Sequence, residues 1–183
     1  MAKKLKLERS GVVVRKHAVG GMESVAVYDE TEKYRFFLQR TWDARSAADV
    51  VAFIGLNPST ATELQNDPTV NRCQIYAHDW GYGGFIMLNI FGLRSTDPKG
   101  LKQVDDPTGS LNNTYIKLGV KHAKTVVCCW GTHSKLADRH QQMRELLEGH
   151  HVTCLRQTKE GFPSHPLYLP KALTPIDYWP EEE

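Results

Sequence analysis

The chain has 183 residues, 40% of them hydrophobic and 24% charged, and its formal net charge is +2. That length suits one domain with one core, and the composition is that of a globular chain, neither disordered nor fibrous. The apolar runs fall short of the roughly 18 residues of a membrane span and no secretory signal is legible, so a cytoplasmic location without membrane contact is the expectation.

The first segment is basic, with Lys3, Lys4, Lys6, Arg9, Arg15 and Lys16, while the last three residues are glutamates. A solvated arm is the expected state of such a segment. Three β-prone runs follow, "GVVVRKHAV" (11–19), "ESVAVYD" (23–29) and "YRFFLQR" (34–40). Gly20–Gly21 and the "DETEK" stretch separate them with turn chemistry, which predicts an antiparallel β-meander over 10–45.

After Ser46 the rhythm changes to strand, helix, strand, helix. Continuous apolar runs predict buried parallel strands over Val50–Leu56, Phe85–Phe91, Thr125–Trp130 and His151–Leu155. Asp67 as N-cap and Pro68 in the first turn predict a helix to about Trp80. "SLNNTYIKLGVKHA" (110–123) predicts a second helix, and Thr96-Asp97-Pro98 reads as a further helix start. "SKLADRHQQMRELLEG" (134–149) predicts a third, with Ser134 as N-cap, Gly149 as stop, and Leu136, Met143 and Leu147 on one face. The expected fold is α/β: a three-layer α/β/α sandwich with a central four-stranded, mostly parallel sheet (46–183), preceded by the meander (10–45) in a single domain over 1–183.

Cys73, Cys128, Cys129 and Cys154 show no C-x-x-C spacing and read as reduced thiols. No metal site and no cofactor is expected.

Ligands of open α/β sheets bind outside the carboxyl ends of the strands. The first predicted strand ends at Gly55-Leu56-Asn57-Pro58-Ser59, the second at Leu88-Asn89, and the third at Trp130-Gly131-Thr132-His133. The fourth leads into "GFPSHPLYLP", a proline-rich loop carrying Ser164 and His165. Two asparagines and two histidines are thus delivered toward one edge, and an asparagine offers the acceptor and the donors that suit a nucleobase edge. Arg94, just past Asn89, is placed to reach a phosphate from a loop. Each residue also has an ordinary reading. Asn57-Pro58 is a turn initiator, Trp130 and Phe91 are core, and His133 is an exposed loop histidine. Asp67 with Arg72 is a helix cap plus a surface ion pair.

The strings "FIGLNPSTAT", "NDPTVNRC", "WGYGGFIMLNIFGLRSTDP" and "HPLYLP" resemble, over the whole chain, a family of bacterial and phage proteins that carries a domain-of-unknown-function label. More distantly, the α/β portion is similar to the uracil-DNA glycosylase superfamily. Gly55-Leu56-Asn57-Pro58 matches the Gly-Ile-Asn-Pro of its mismatch-specific branch with one aliphatic swap. "IMLN" puts Asn89 where the superfamily has the asparagine that reads the flipped base. Trp130-Gly131 and His165-Pro166 match its later motifs. The resemblance implies that Asn57 positions a water, Asn89 reads the base and His165 donates to the base oxygen. Leu167 departs from the usual serine after His-Pro, which leaves Leu167 or Tyr168 as an apolar wedge. The base-stacking aromatic is open between Tyr82 and Phe91.

The expected function is therefore recognition of a nucleobase, in nucleic acid or a nucleotide, with N-glycosidic bond hydrolysis as the reaction. Catalytic roles fall to Asn57 and His165. Substrate contacts fall to Gly55, Pro58, Ser59, Asn89, Arg94, Trp130 and Ser164. The alternative is a binding module that uses the same pocket without chemistry. No nucleophile elbow, P-loop or G-x-G-x-x-G fingerprint supports a hydrolase of another kind.

Overall fold

Strands β1 (Val12–Val19), β2 (Met22–Asp29) and β3 (Arg35–Thr41) follow the three β-prone runs in order. They do not stand apart from the α/β portion. With β4 (Val50–Gly55), β5 (Gly84–Asn89), β6 (Thr125–Cys128), β7 (Val152–Cys154) and β8 (Ile176–Tyr178) they form one eight-stranded sheet, in the order β1-β2-β3-β5-β4-β6-β7-β8. The computed structural model describes residues 5–43 and 49–179. Lys3, Lys4, the boundary expected at 45/46 and the terminal glutamates lie outside those residues.

The run β5-β4-β6-β7 is parallel, while β1–β2, β2–β3, β3–β5 and β7–β8 pair antiparallel. The expected sheet of four strands is corrected to one of eight for a physical reason. All six residues of β5 are buried, so its outer edge could not be left to water. β3 covers that edge in the register Leu38↔Met87. At the other side β8, which no periodicity in "TPIDYWP" announced, covers β7.

Alternate residues of β4 serve two different cores. Val50, Ala52 and Ile54 pack with Tyr115, Ile116 and Val120 of α2 (Asn112–His122) and Met143 of α3 (Arg139–Leu146). Val51 and Phe53 pack with Val70, Cys73, Tyr76 and Ala77 of α1 (Pro68–Asp79). This split follows from the alternation of side chains along a strand, which sends successive residues to opposite faces of the sheet. The step from β4 to β5 runs one way across the sheet, and the steps to β6 and β7 run the other way. Each aliphatic side chain so buried contributes on the order of 1.5–3 kcal/mol.

Asp67 caps α1 as expected, its carboxylate accepting the Val70 N–H at 2.8 Å. The third helix is shorter than its sequence pattern. Residues Thr132–Asp138 form 3-10 turns broken at Leu136 and Ala137, and the α-helix starts only at Arg139. Ser134 does not cap it; buried, it donates to the Gly131 carbonyl at 2.9 Å. Past Asn89, Asp97 caps a 3-10 turn over Pro98–Gln103. In the basic arm, Arg15 pairs with Glu32 and Lys16 with Glu8, so those charges are balanced locally. No helix among the described residues is long and apolar enough to cross a membrane.

Candidate functional site

The sheet order reverses between β4 and β6, and an open α/β sheet offers its crevice at such a point, outside the carboxyl ends. A cleft of about 750 Å³ lies there. Gly55, Asn57, Pro58, Ser59, Asn89, Trp130, Ser164 and His165 all line it. The structure thus brings together every residue given a catalytic or substrate-contact role except Arg94, while neither candidate stacking aromatic, Tyr82 or Phe91, lines the cleft.

β4 and β5 run in register, so Gly55 stands beside Asn89. A Cβ at Gly55 would lie 3.0 Å from Asn89 Oδ1 and 2.7 Å from the Met87 methyl. The strand ends in glycine because the Asn89 amide occupies the space a side chain would need. Asn89 is 3% exposed as a whole, and among the described residues the side-chain hydrogen bond it takes part in goes to its backbone carbonyl and not to its amide. The Asn89 amide lines the cleft and is not among the fully enclosed, unpartnered polar atoms of the described residues, so it meets the cleft space rather than the core. Two side chains fix the backbone behind it. Asn112 Nδ2 donates to the Asn89 and Ile90 carbonyls at 2.9 and 3.1 Å, and Arg139 Nε donates to Ile90 at 2.7 Å. Burial draws the Arg139 guanidinium down to about 10.

Asn57 is oriented by its surroundings. Nδ2 donates to the Pro58 carbonyl at 2.9 Å and the Ser95 carbonyl at 2.8 Å, with the Leu93 carbonyl at 3.5 Å. Carbonyls cannot donate, so these neighbours decide which end of the amide is nitrogen. Oδ1 is what remains for a ligand, and it can only accept. The following loop is anchored at Ala61. Arg35 Nη1 donates to its carbonyl at 2.7 Å, and its N–H donates to Asp67 at 3.3 Å.

His165 opens the proline-rich loop, and its Nδ1 accepts the Leu167 N–H at 3.3 Å. That bond requires a bare Nδ1, which puts the proton of the neutral ring on Nε2. Burial lowers the His165 pKa from its ordinary value, with Asp67 opposing, so the ring is neutral at physiological pH. The loop is tied to α1 by Arg72 Nη1, which donates to the Leu169 carbonyl at 3.0 Å, and by the Tyr76 hydroxyl on the Pro170 carbonyl at 2.7 Å. Its tip exposes Tyr168, 84% accessible and at the mouth of the cleft.

Other expectations resolve differently. Arg94 faces a neighbouring hollow of about 740 Å³ that shares Ser59, Ser95 and Thr96 with the cleft. There it donates to the Glu32 carbonyl at 3.2 Å and lies 5.5 Å from the centre of the Tyr28 ring. Trp130 reaches the cleft wall but is 1% exposed, and its indole donates to His140 Nδ1 at 3.2 Å within an aromatic cluster. Phe91 is core. Tyr82 bonds Thr125 at the start of β6, the amino end of the strands, and cannot stack on a ligand in the cleft. Arg72 makes no ion pair with Asp67 because the loop carbonyl takes it. His133 is exposed at the rim.

Arg35, Asn112 and Arg139 were not anticipated from sequence. The available signal for Arg35 was a charge inside the apolar run "YRFFLQR". Among the described residues no cluster of three or more His, Cys, Asp or Glu side chains could hold a metal ion.

With this geometry in hand, the family described as "Protein of unknown function (DUF1643)" matches residues 35–167, from Arg35 to Leu167. No curated protein matches the chain. No solved structure matches it either.

Proposed function

The chain belongs to that family of unknown function, a premise that brings no activity with it; for its cleft we propose nucleobase recognition, with hydrolysis of the N-glycosidic bond of a flipped or modified base as the reaction. The observation that carries the reading is the meeting of Asn57, Asn89 and His165 around one cavity of about 750 Å³. That volume is within the range of small-molecule sites. The reading includes a three-layer core, with α1 on one face of the sheet and α2 and α3 on the other, as the motif resemblance to the uracil-DNA glycosylase superfamily implies.

Cleaving the bond leaves an oxocarbenium-like sugar and an anionic base. The oxygen of a water attacks the anomeric carbon, and the electron pair of the broken bond leaves with the base nitrogen. Asn57 Oδ1 accepts a hydrogen bond from that water and so orients it, and the proton the water loses after attack passes to solvent and the departing base anion. His165 Nε2–H donates to a base oxygen where negative charge develops. Asn89, with its donors and acceptor unspent, pairs with the base edge after the base has left the stack. Gly55, Pro58 and Ser59 give the close-fitting wall, Trp130 and Ser164 line it, and Arg94 meets a flanking phosphate from the adjoining hollow. The reading places the protein in the cytoplasm, with nucleic acid or a nucleotide as its partner.

One observation favours a second reading, a binding module without turnover. Among the described cleft residues the carboxylate is Asp67, and its oxygens accept the Ala61 and Val70 N–H groups. An asparagine cannot take the proton of the attacking water, so general-base help is weak.

The test is incubation of the protein with oligonucleotides carrying uracil, hypoxanthine, mismatched or hypermodified bases, then alkaline cleavage. Strand breaks that disappear in Asn57→Ala and His165→Ala support hydrolysis. Binding that needs Asn89 and yields no abasic product supports the module. Neither product nor binding with any base defeats both.

A further inference from the structure

Arg35 enters the cleft from β3, a strand of the meander, and is the first residue of the family match. It is 1% exposed. A guanidinium offers five N–H donors in a fixed fork. Here the Ala61 carbonyl takes one, through Nη1 at 2.7 Å. Nε is enclosed with no partner, and Nη2 makes no hydrogen bond among the described residues. No salt bridge joins Arg35 to a carboxylate among those residues. Asp67 is the nearby acid, and its oxygens are engaged by the Ala61 and Val70 N–H groups. If Arg35 served only to anchor Ala61, a neutral donor would do so without the cost of a buried charge.

The rest of the cleft has the same sign. Arg156 and Lys159 stand on its wall, and Asp67 is the carboxylate among its described lining residues. We propose that Arg35 is an anion-reading residue. The ligand of the cleft carries an oxyanion, a carboxylate or a phosphate, which docks against the unpartnered edge of this guanidinium beside the base-reading amide of Asn89. This inference rests on the nucleobase reading and narrows it to an acidic base or a nucleotide. It also gives the meander a task, since the cation that selects the ligand comes from β3 and not from the parallel strands.

The experiment is calorimetric titration of the full chain with uracil, uracil-6-carboxylate, uridine, uridine monophosphate, inorganic phosphate and benzoate, in the natural chain, Arg35→Gln and Arg35→Lys. Charge-assisted hydrogen bonds of this kind correspond to about ten- to a hundredfold in affinity. The natural chain should therefore favour one oxyanion-bearing ligand over its neutral partner by at least about tenfold. The carboxylate arm and the phosphate arm separate an acidic base from a nucleotide. In Arg35→Gln that preference should vanish while neutral ligands bind as before. Arg35→Lys, which keeps the charge, should retain part of it and serves where the glutamine variant does not fold. A merely structural role would weaken all ligands together and leave the ratio unmoved. Equal affinity for charged and neutral partners in the natural chain, or a preference that survives in Arg35→Gln, overturns the inference. Failure of every ligand to bind does the same. Binding of phosphate or benzoate through Arg35 with no response to any base keeps the inference and sinks the nucleobase reading instead.

Discussion

Gly55 and Asn89 stand side by side at the carboxyl ends of adjacent parallel strands, and the amide of one fills the space the other leaves empty. Gly55→Ala puts a methyl group 3.0 Å from Asn89 Oδ1. The Met87 methyl, at the end of a flexible side chain, can move aside more cheaply than the packed amide. The substitution should lower base affinity about tenfold and cost about 1–3 kcal/mol of stability, as overpacking does. Asn89→Ala should lose the same affinity with little change in the urea midpoint, because its amide has no internal partner to lose. Titration and urea unfolding of both variants check this. Full binding by Gly55→Ala contradicts it.

Asn57→Asp distinguishes orientation from proton abstraction. The asparagine gives its amide hydrogens to the Pro58 and Ser95 carbonyls. A carboxylate there faces acceptors with an acceptor. It should cost about 1–3 kcal/mol at neutral pH and abolish binding and product alike. Faster abasic-site formation in Asn57→Asp would show that the position needs a base and not an oriented amide.

His165 makes the fold sensitive to acid. Its pKa is lowered chiefly by burial, so the fold favours the neutral ring. The stability this contributes is complete above the ordinary value of about 6.5 and is lost as pH falls through the lower native value. Protonation also removes the acceptor for the Leu167 N–H, which loosens the loop bearing Tyr168. Nitrogen-detected NMR should find the proton on Nε2 and a midpoint below 6.5. A midpoint above that value, or a proton on Nδ1, would be inconsistent with the packing of this loop.

All four cysteines are buried, and burial raises the thiol pKa of Cys73, Cys128 and Cys154. The folded protein should leave a thiol reagent unreacted over minutes, and the unfolded chain should consume four equivalents. Fast reaction of the native chain would mean that the two cores open more readily than their packing implies.

Much of the site was legible because it sits where strand runs stop. Gly55, Asn89 and His165 are breaks in apolar or proline-rich runs, and the rule for α/β sheets then collects such breaks at one edge. Arg35, Asn112 and Arg139 were not legible for the converse reason. They act through tertiary contacts with carbonyls, and apart from the charge of Arg35 inside its apolar run no local pattern marks them. The joining of β3 to β5 was hidden in the same way, since a strand's pattern tells which residues are buried and not which strand lies beside it. The third helix failed locally. Ala137 and Asp138 adopt positive φ, which ends the 3-10 turns and delays the helix to Arg139.

The most direct measurement is NMR of the side-chain amides of Asn57 and Asn89 and the imidazole of His165 during titration with the base panel, from free nucleosides to modified oligonucleotides. At least one member should shift all three together and leave the Asn113 amide, held by Arg139 away from the cleft, in place. If no member moves these three resonances, or if they respond to different ligands, the cleft is not a single base-reading site.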